Sequence, residues 1–301
     1  MVHRNYLAIA ALLAGLILPL PLLGAIEVID DTGQHIRLEQ PARRLVSLAP
    51  HVTENLFSAG VGDRIVGTVN YSDYPEAARA IPQVGGYDNF NIELIHVLQP
   101  DLIIAWQEGN QLIQVEQLQA LGYTVYIDYP RDMEGVAKGI RNFGVLTGNE
   151  QEARRVSEHL LTEMGRLRET YAAQAPVTVF YQVWSEPLIT VNDRQIIGQS
   201  IRICGGRNIF AELENLTPRV SLEDVLASDP EIIVASGMDE RRPEWLDEWT
   251  RWPVLRAVRD AHLFFIPPDI IQRHTLRLLD GATLLCRQIH QVRQERWSPP
   301  R

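Results

Sequence analysis

An α/β fold of two lobes, each with a parallel sheet, joined by a single long rigid helix, is what three features of the sequence predict. Short β-rich runs alternate with helical ones between about residues 45 and 130 and again after 176. Between them, residues 132–173 carry no strand signal at all. One phrase also occurs twice: "NIELIHVLQPDLIIAW" at 91–106 returns as "SLEDVLASDPEIIVAS" at 221–236, with Glu93, Pro100, Ile103 and Ala105 opposite Glu223, Pro230, Ile233 and Ala235. Both copies read as cap, helix, proline turn and buried strand. Duplicated lobes related by a pseudo-twofold explain this, although helix, turn and strand is also a common α/β phrase.

Taken in order, residues 1–25 read "MVHRNYLAIAALLAGLILPLPLLGA". A short basic start, an apolar run, two prolines and small residues make a cleavable secretory signal, since Pro19 and Pro21 would break a spanning helix. Residues 26–145 form the first lobe and open on a hairpin, 26–40, around Asp-Thr-Gly. Strand "RLVSLAP", helix "VTENLFSAG", strand "RIVGTV" and a short helix "PEAARAI" follow, then the first copy of the phrase. "NQLIQVEQLQALG" is an amphipathic helix and "YTVYIDYP" a strand. Residues 146–175 hold the bridging helix, long and charged on one face, with Asn149 as N-cap and Glu152 three residues on. The second lobe, 176–292, repeats the alternation through "VTVFYQV", "IIGQSIRICGG", the second copy, helix "PEWLDEWTRW", "HLFFIP" and a final helix; 293–301 are a tail.

The chain carries 28 basic against 38 acidic residues, a formal charge of −10, with no basic block to grip a nucleic-acid backbone. The two cysteines, Cys204 and Cys286, stand in no metal-type spacing. Export would let them persist as a disulfide; buried free thiols are the other reading. Glu93 and Glu223 each lie one residue past a helix start, where a carboxylate meets free N–H groups and the positive end of the dipole. They can be caps, or one acid per lobe offered to a symmetric partner carrying arginines.

"RRLVSLAPHVTENLFSAGVGDRIVGTVNYSDYPEAA", "NIELIHVLQPDLIIAWQEGN" and "ICGGRNIF" together resemble the cobalamin, siderophore and haem binding proteins of ABC importers, from Arg44 to Val292. The resemblance implies a periplasmic, monomeric binding protein rather than an enzyme, with no cofactor of its own. It also implies a ligand in the cleft, cobalamin or a related corrinoid, with haem or a siderophore as the alternative. By the same resemblance Glu93 and Glu223 dock onto the permease dimer, and Cys204 and Cys286 form a disulfide. Tyr71 and Trp106 match aromatics that pack on the corrin, while Asp269 and Arg273 match polar contacts to its side groups. Tyr87 and Thr217 stand where cobalamin-binding members carry tryptophan, and Trp184 is placed to compensate. His51, in the loop after the first strand, faces solvent, donates a hydrogen bond to the ligand, or serves as an axial ligand to its metal.

Two other classes find less support in the sequence. An exported α/β hydrolytic enzyme lacks local support, because there is no G-x-S-x-G elbow, no H-E-x-x-H and no phosphate loop; triads assembled from distant residues stay open. A zinc or manganese carrier needs converging histidines and carboxylates, but the eight histidines are scattered and only His51 falls in a segment expected at the cleft.

Overall fold

Aliphatic and β-branched runs too short to be helices pair into two four-stranded parallel sheets in the computed structural model, which describes residues 25–238 and 240–296. Residues 1–24 of the expected signal segment and 297–301 of the expected tail lie outside them. The first sheet holds β3 (Leu45–Ser47), β4 (Ile65–Gly67), β5 (Leu102–Trp106) and β6 (Val125–Asp128), ordered β4-β3-β5-β6. It is preceded by an antiparallel hairpin of β1 (Ile26–Ile29) and β2 (His35–Leu38). The second holds β7 (Val177–Gln182), β8 (Gly206–Asn208), β9 (Ile232–Ala235) and β10 (Leu263–Phe265), ordered β10-β9-β7-β8. Numbered within each lobe, both sheets run 2-1-3-4. The repeated phrase therefore occupies the same slot twice: α2 (Ile92–Leu98) leads into β5, and α7 (Leu222–Ser228) leads into β9.

The match extends to backbone detail. Asn91 and Ser221 cap their helices by accepting from the N–H groups of Leu94 and Asp224. Both helices end on a non-glycine residue in the left-handed region, Gln99 at φ 46° and Asp229 at φ 40°, immediately before the prolines. A proline disfavours the right-handed helical conformation in the residue before it, so the helix must stop there.

Alternation along each strand sorts side chains onto two faces. Leu102 and Ile104 point to one cluster, and Ile103 and Ala105 to another with Ile95 and Leu118. Val179 and Tyr181 divide from Phe180 in the same way across β7. The inner faces of the two sheets share a single cluster. It runs through α1 (Pro50–Ser58), α4 (Met133–Thr147), α5 (Glu150–Tyr171), α6 (Ile196–Ile203) and α10 (Leu278–Glu295), including Ile140, Phe143, Leu160, Met164, Ile201 and Leu285. The remaining helices are α3 (Leu112–Ala120), α8 (Arg256–Arg259) and α9 (Pro268–Ile271).

The bridging helix is α5, of 22 residues, about 33 Å at 1.5 Å per residue. Asn149 stands at its start without capping it, because its side chain instead donates to the Ala59 carbonyl at 2.6 Å. Glu152 pairs with Arg155. The strand within "RIVGTV" is only three residues long, and "PEAARAI" and "PEWLDEWTRW" wind as 3₁₀ helix. In the second case Pro243 and Pro253 bracket a run too short for a settled α-helix. The last helix runs to Glu295, past the expected edge of the lobe. Arg293 is buried there and donates to the carbonyls of Ala175, Cys204 and Gly205, which holds the final turn against the lobe. Cys204 and Cys286 are bonded, linking α6 to α10. The hairpin lies against β6, the edge strand. The Asp31 N–H donates to the Ile127 carbonyl and the Ile127 N–H to the Asp30 carboxylate, and Lys138 of α4 binds Asp31 at 2.7 Å, so the edge is covered.

Candidate functional site

In an open parallel sheet of order 2-1-3-4 the connections leave in opposite directions from strands 1 and 3, and a crevice forms beyond their carboxyl ends. Here that point lies between β3 and β5 in the first lobe and between β7 and β9 in the second. The loops at these ends face each other across a cleft. A cavity of about 400 Å³ lies between the lobes, lined by Glu108, Tyr129 and Arg131 on one side and by Arg194, Leu216 and His274 on the other.

The first-lobe wall is assembled by buried polar groups. A hydroxyl cluster ties β3, α1 and the loop after β4 together: Thr53 lies 2.8 Å from Ser47 and from Thr68, and donates to Ser72 at 3.2 Å. Asn110, buried, gathers three more segments. Its carbonyl accepts from the Trp106 backbone N–H at 2.6 Å, and its amide donates to the carbonyls of Leu48 at 2.8 Å and Tyr87 at 2.6 Å. Gly109 lets this turn fold under the indole, since a Cβ there would stand 1.9 Å from a Trp106 ring carbon.

On this frame Trp106 and Tyr87 meet at 5.7 Å between ring centres, and His51 approaches Trp106 edge-on at 5.1 Å. The Trp106 indole N–H is buried and has no hydrogen-bond partner among the described residues. His51 is not on a loop: it is the second residue of α1, buried, with Nε2 3.0 Å from Asp128 Oδ2. The loop reading failed because Pro50 starts the helix at once. Burial pushes the Asp128 carboxyl up, with the His51 hydrogen bond and charge pulling it partly back. Tyr71 is held at φ 65° in the loop after β4 with its ring exposed, and Trp184, just beyond β7, donates its indole N–H to the Glu186 carbonyl at 2.9 Å. Neither makes a ring contact with the cluster. Thr217 is exposed and lies next to Leu216, which lines the cavity.

Asp269 and Arg273 do meet, but inside an ion cluster across the seam rather than as free groups awaiting a ligand. Arg273 reaches Asp269 at 3.0 Å, Glu54 at 2.8 Å and Asp73 at 3.2 Å. Arg277 clamps Glu54 through Nε at 2.9 Å and Nη2 at 2.8 Å, and its guanidinium lies 4.0 Å from the Tyr74 ring. Asn55 adds a bond to the His274 carbonyl at 2.9 Å. His274 itself is pushed down to about 3 by burial and then by neighbouring His51, so its imidazole is neutral. Sequence reading passed over Glu54, Asn55, Asp73, Asn110, Asp128, His274 and Arg277. Of these, Arg277 alone carries a local signal, standing four residues after Arg273 as Arg273 stands after Asp269.

Glu93 and Glu223 are exposed in the first turns of α2 and α7 and form no ion pair among the described residues. No described helix is long and apolar enough to cross a membrane.

Two α/β lobes of like topology, braced by one helix and opening their strand ends onto a shared cleft, define a substrate-binding protein rather than an enzyme. The chain belongs to the periplasmic binding protein family, whose model matches residues 45–270. It is 33% identical over 260 residues to a vitamin B12-binding protein of Vibrio campbellii, covering 85% of this chain and 92% of the relative. A vitamin B12-binding protein of Yersinia pestis is 31% identical over 253 residues, covering 84% and 88%. Among solved structures, the periplasmic vitamin B12 binding protein BtuF of Vibrio cholerae superposes with a TM-score of 0.76 at 33% identity, covering 84% of this chain and 99% of that one. A periplasmic heme binding protein of Pseudomonas aeruginosa, at 21% identity and a TM-score of 0.72, shares the fold.

Proposed function

We propose that this chain captures cobalamin or a close corrinoid relative in the cleft and delivers it to the permease of an ABC importer, acting as a periplasmic monomer after removal of residues 1–25. The observation that carries the reading is the match to vitamin B12-binding relatives across both lobes and the cleft between them. The wall geometry suits such a ligand. A broad ring with amide edges wants an aromatic face and a few fixed polar groups, and Trp106 with Tyr87 supplies the face. Tyr71 and Trp184 extend it from the rims of the two lobes. Asp269 and Arg273 orient the side groups from within the ion cluster, and His51 stiffens the floor beside Trp106.

Equilibrium dialysis with cyanocobalamin, cobinamide and haemin tests the assignment. Saturable corrinoid binding is expected, weakened about thirtyfold in Trp106→Ala, because losing a central aromatic anchor costs about 2 kcal/mol or more. Exclusive binding of haemin would reject the corrinoid.

Glu93 and Glu223 are the docking pair in this reading. They sit in equivalent slots, exposed and without an ion pair among the described residues, one on each lobe. In proteoliposomes carrying the transporter, Glu93→Ala with Glu223→Ala should cut uptake more than about tenfold while corrinoid affinity stays within about twofold, in line with a loss of about 1.4 kcal/mol or more at an interface of charge-assisted pairs. Uptake at the wild-type rate would remove both acids from the interface.

A further inference from the structure

A second cavity belongs to the second lobe alone, where the loop after β7, the start of α7 and the 3₁₀ helix Glu244–Arg251 meet. It encloses about 610 Å³, against about 400 Å³ between the lobes, and the two share no lining residue. Three indoles line it, those of Trp245, Trp249 and Trp252, which the sequence spaces four and three residues apart. Three carboxylates line it as well, on the exposed residues Glu186, Glu244 and Glu248, and among the described residues no lysine or arginine does.

The aromatic wall is held in place. Trp249 is buried, donates its indole N–H to Gln182 at 2.7 Å and packs edge-on against Phe180 with ring centres 5.6 Å apart; Trp252 meets it at 5.5 Å. The acids, by contrast, are not neutralised. Glu186 and Glu244 form no ion pair among the described residues, and Glu248 has only an exposed Arg251 at 3.6 Å. Arg242, close by in sequence, is clamped by Asp247 at 2.7 and 2.8 Å instead.

Indole faces attract cations more strongly than any other aromatic side chain, and unpaired carboxylates beside them add direct charge attraction. A cavity of this size suits an organic molecule. A bare metal ion is not the fit, since no group of three or more His, Cys, Asp or Glu among the described residues could hold one. We propose that this pocket is a second binding site, for a small organic ammonium cation, separate from the inter-lobe cleft. The cation's carbon substituents pack on the indoles while its charge faces Glu186 and Glu244. No residue assigned to the cleft lines the pocket, so the site stands or falls independently of the corrinoid reading.

Isothermal titration of the mature protein with choline, and with its uncharged isostere 3,3-dimethylbutan-1-ol, tests the site. Choline should bind saturably and about tenfold or more tighter than the alcohol, because only the cation gains from the indole faces and the acids. Trp245→Ala should weaken choline about fivefold and Trp245→Phe less, while Glu244→Gln, an exposed change that leaves the fold intact, should weaken it about threefold. The same titrations repeated with cyanocobalamin already bound should give choline affinities within about twofold of the first set. Absence of choline binding overturns the proposal, as does equal binding of choline and the alcohol, or binding untouched by all three variants. Displacement of choline by cyanocobalamin would also overturn it, by placing the cation in the cleft. Choline bound as expected by a protein that takes up no corrinoid would reject the corrinoid reading and keep the cation site.

Discussion

Replacing Glu54 with alanine should lower the unfolding free energy by about 3 kcal/mol, toward the low end of what breaking a buried ion pair costs. Glu54 is 3% exposed and accepts three guanidinium bonds from the opposite lobe, at 2.8, 2.8 and 2.9 Å. Its removal leaves Arg273 and Arg277, themselves largely buried, short of their main acceptor. Arg273 still has Asp73 and Asp269, and Arg277 still has Asp269 at 3.5 Å, which is why the higher figures for a fully orphaned charge are not expected. Glu54→Gln should lose less, because an amide oxygen can still accept. Urea denaturation of the three proteins measures this, and a change below about 1 kcal/mol for the alanine variant would place the cluster among surface pairs of little consequence.

Loss of the Cys204–Cys286 bridge should cost still more. The two cysteines are 82 residues apart in sequence, and closing a loop of that size restricts the unfolded chain by about 4.5 kcal/mol in the loop-entropy account. Both are fully buried, and the bond joins the end of α6 to the middle of α10, which also packs on α5. The pair Cys204→Ala with Cys286→Ala should therefore shift the urea midpoint well below that of the oxidised protein. Two unchanged midpoints would mean that the reduced unfolded chain is already as restricted as the bridged one.

The alternation of short runs, the strandless stretch and the repeated phrase were enough to read two lobes and a brace, because strand period and helix capping are local properties. The shared slot of Glu93 and Glu223 was legible for the same reason: Asn91, Ser221 and the two prolines mark equal positions by themselves. The cleft was read less completely. Trp106 and Tyr87 could be named, but Asn110, which holds both in place, looks like any loop asparagine until the turn closes on Leu48. Glu54 and its arginines are separated by 219 and 223 residues, and no short-range pattern joins them. His51 was misplaced by one element, since a proline between strand and helix can begin the helix as readily as extend the loop.

The cluster that passes from β3 and β5 through α4 and α5 to β7, β9 and α10 has no seam of solvent within it. A chain whose two sheets share one interior has no plane along which half of it can melt while the other half persists. Native-state hydrogen exchange should then show the central amides of β5 and β9 opening at the same free energy, one cooperative unit in place of two. A separate, lower opening energy for β9 would reveal a boundary that the packing does not show.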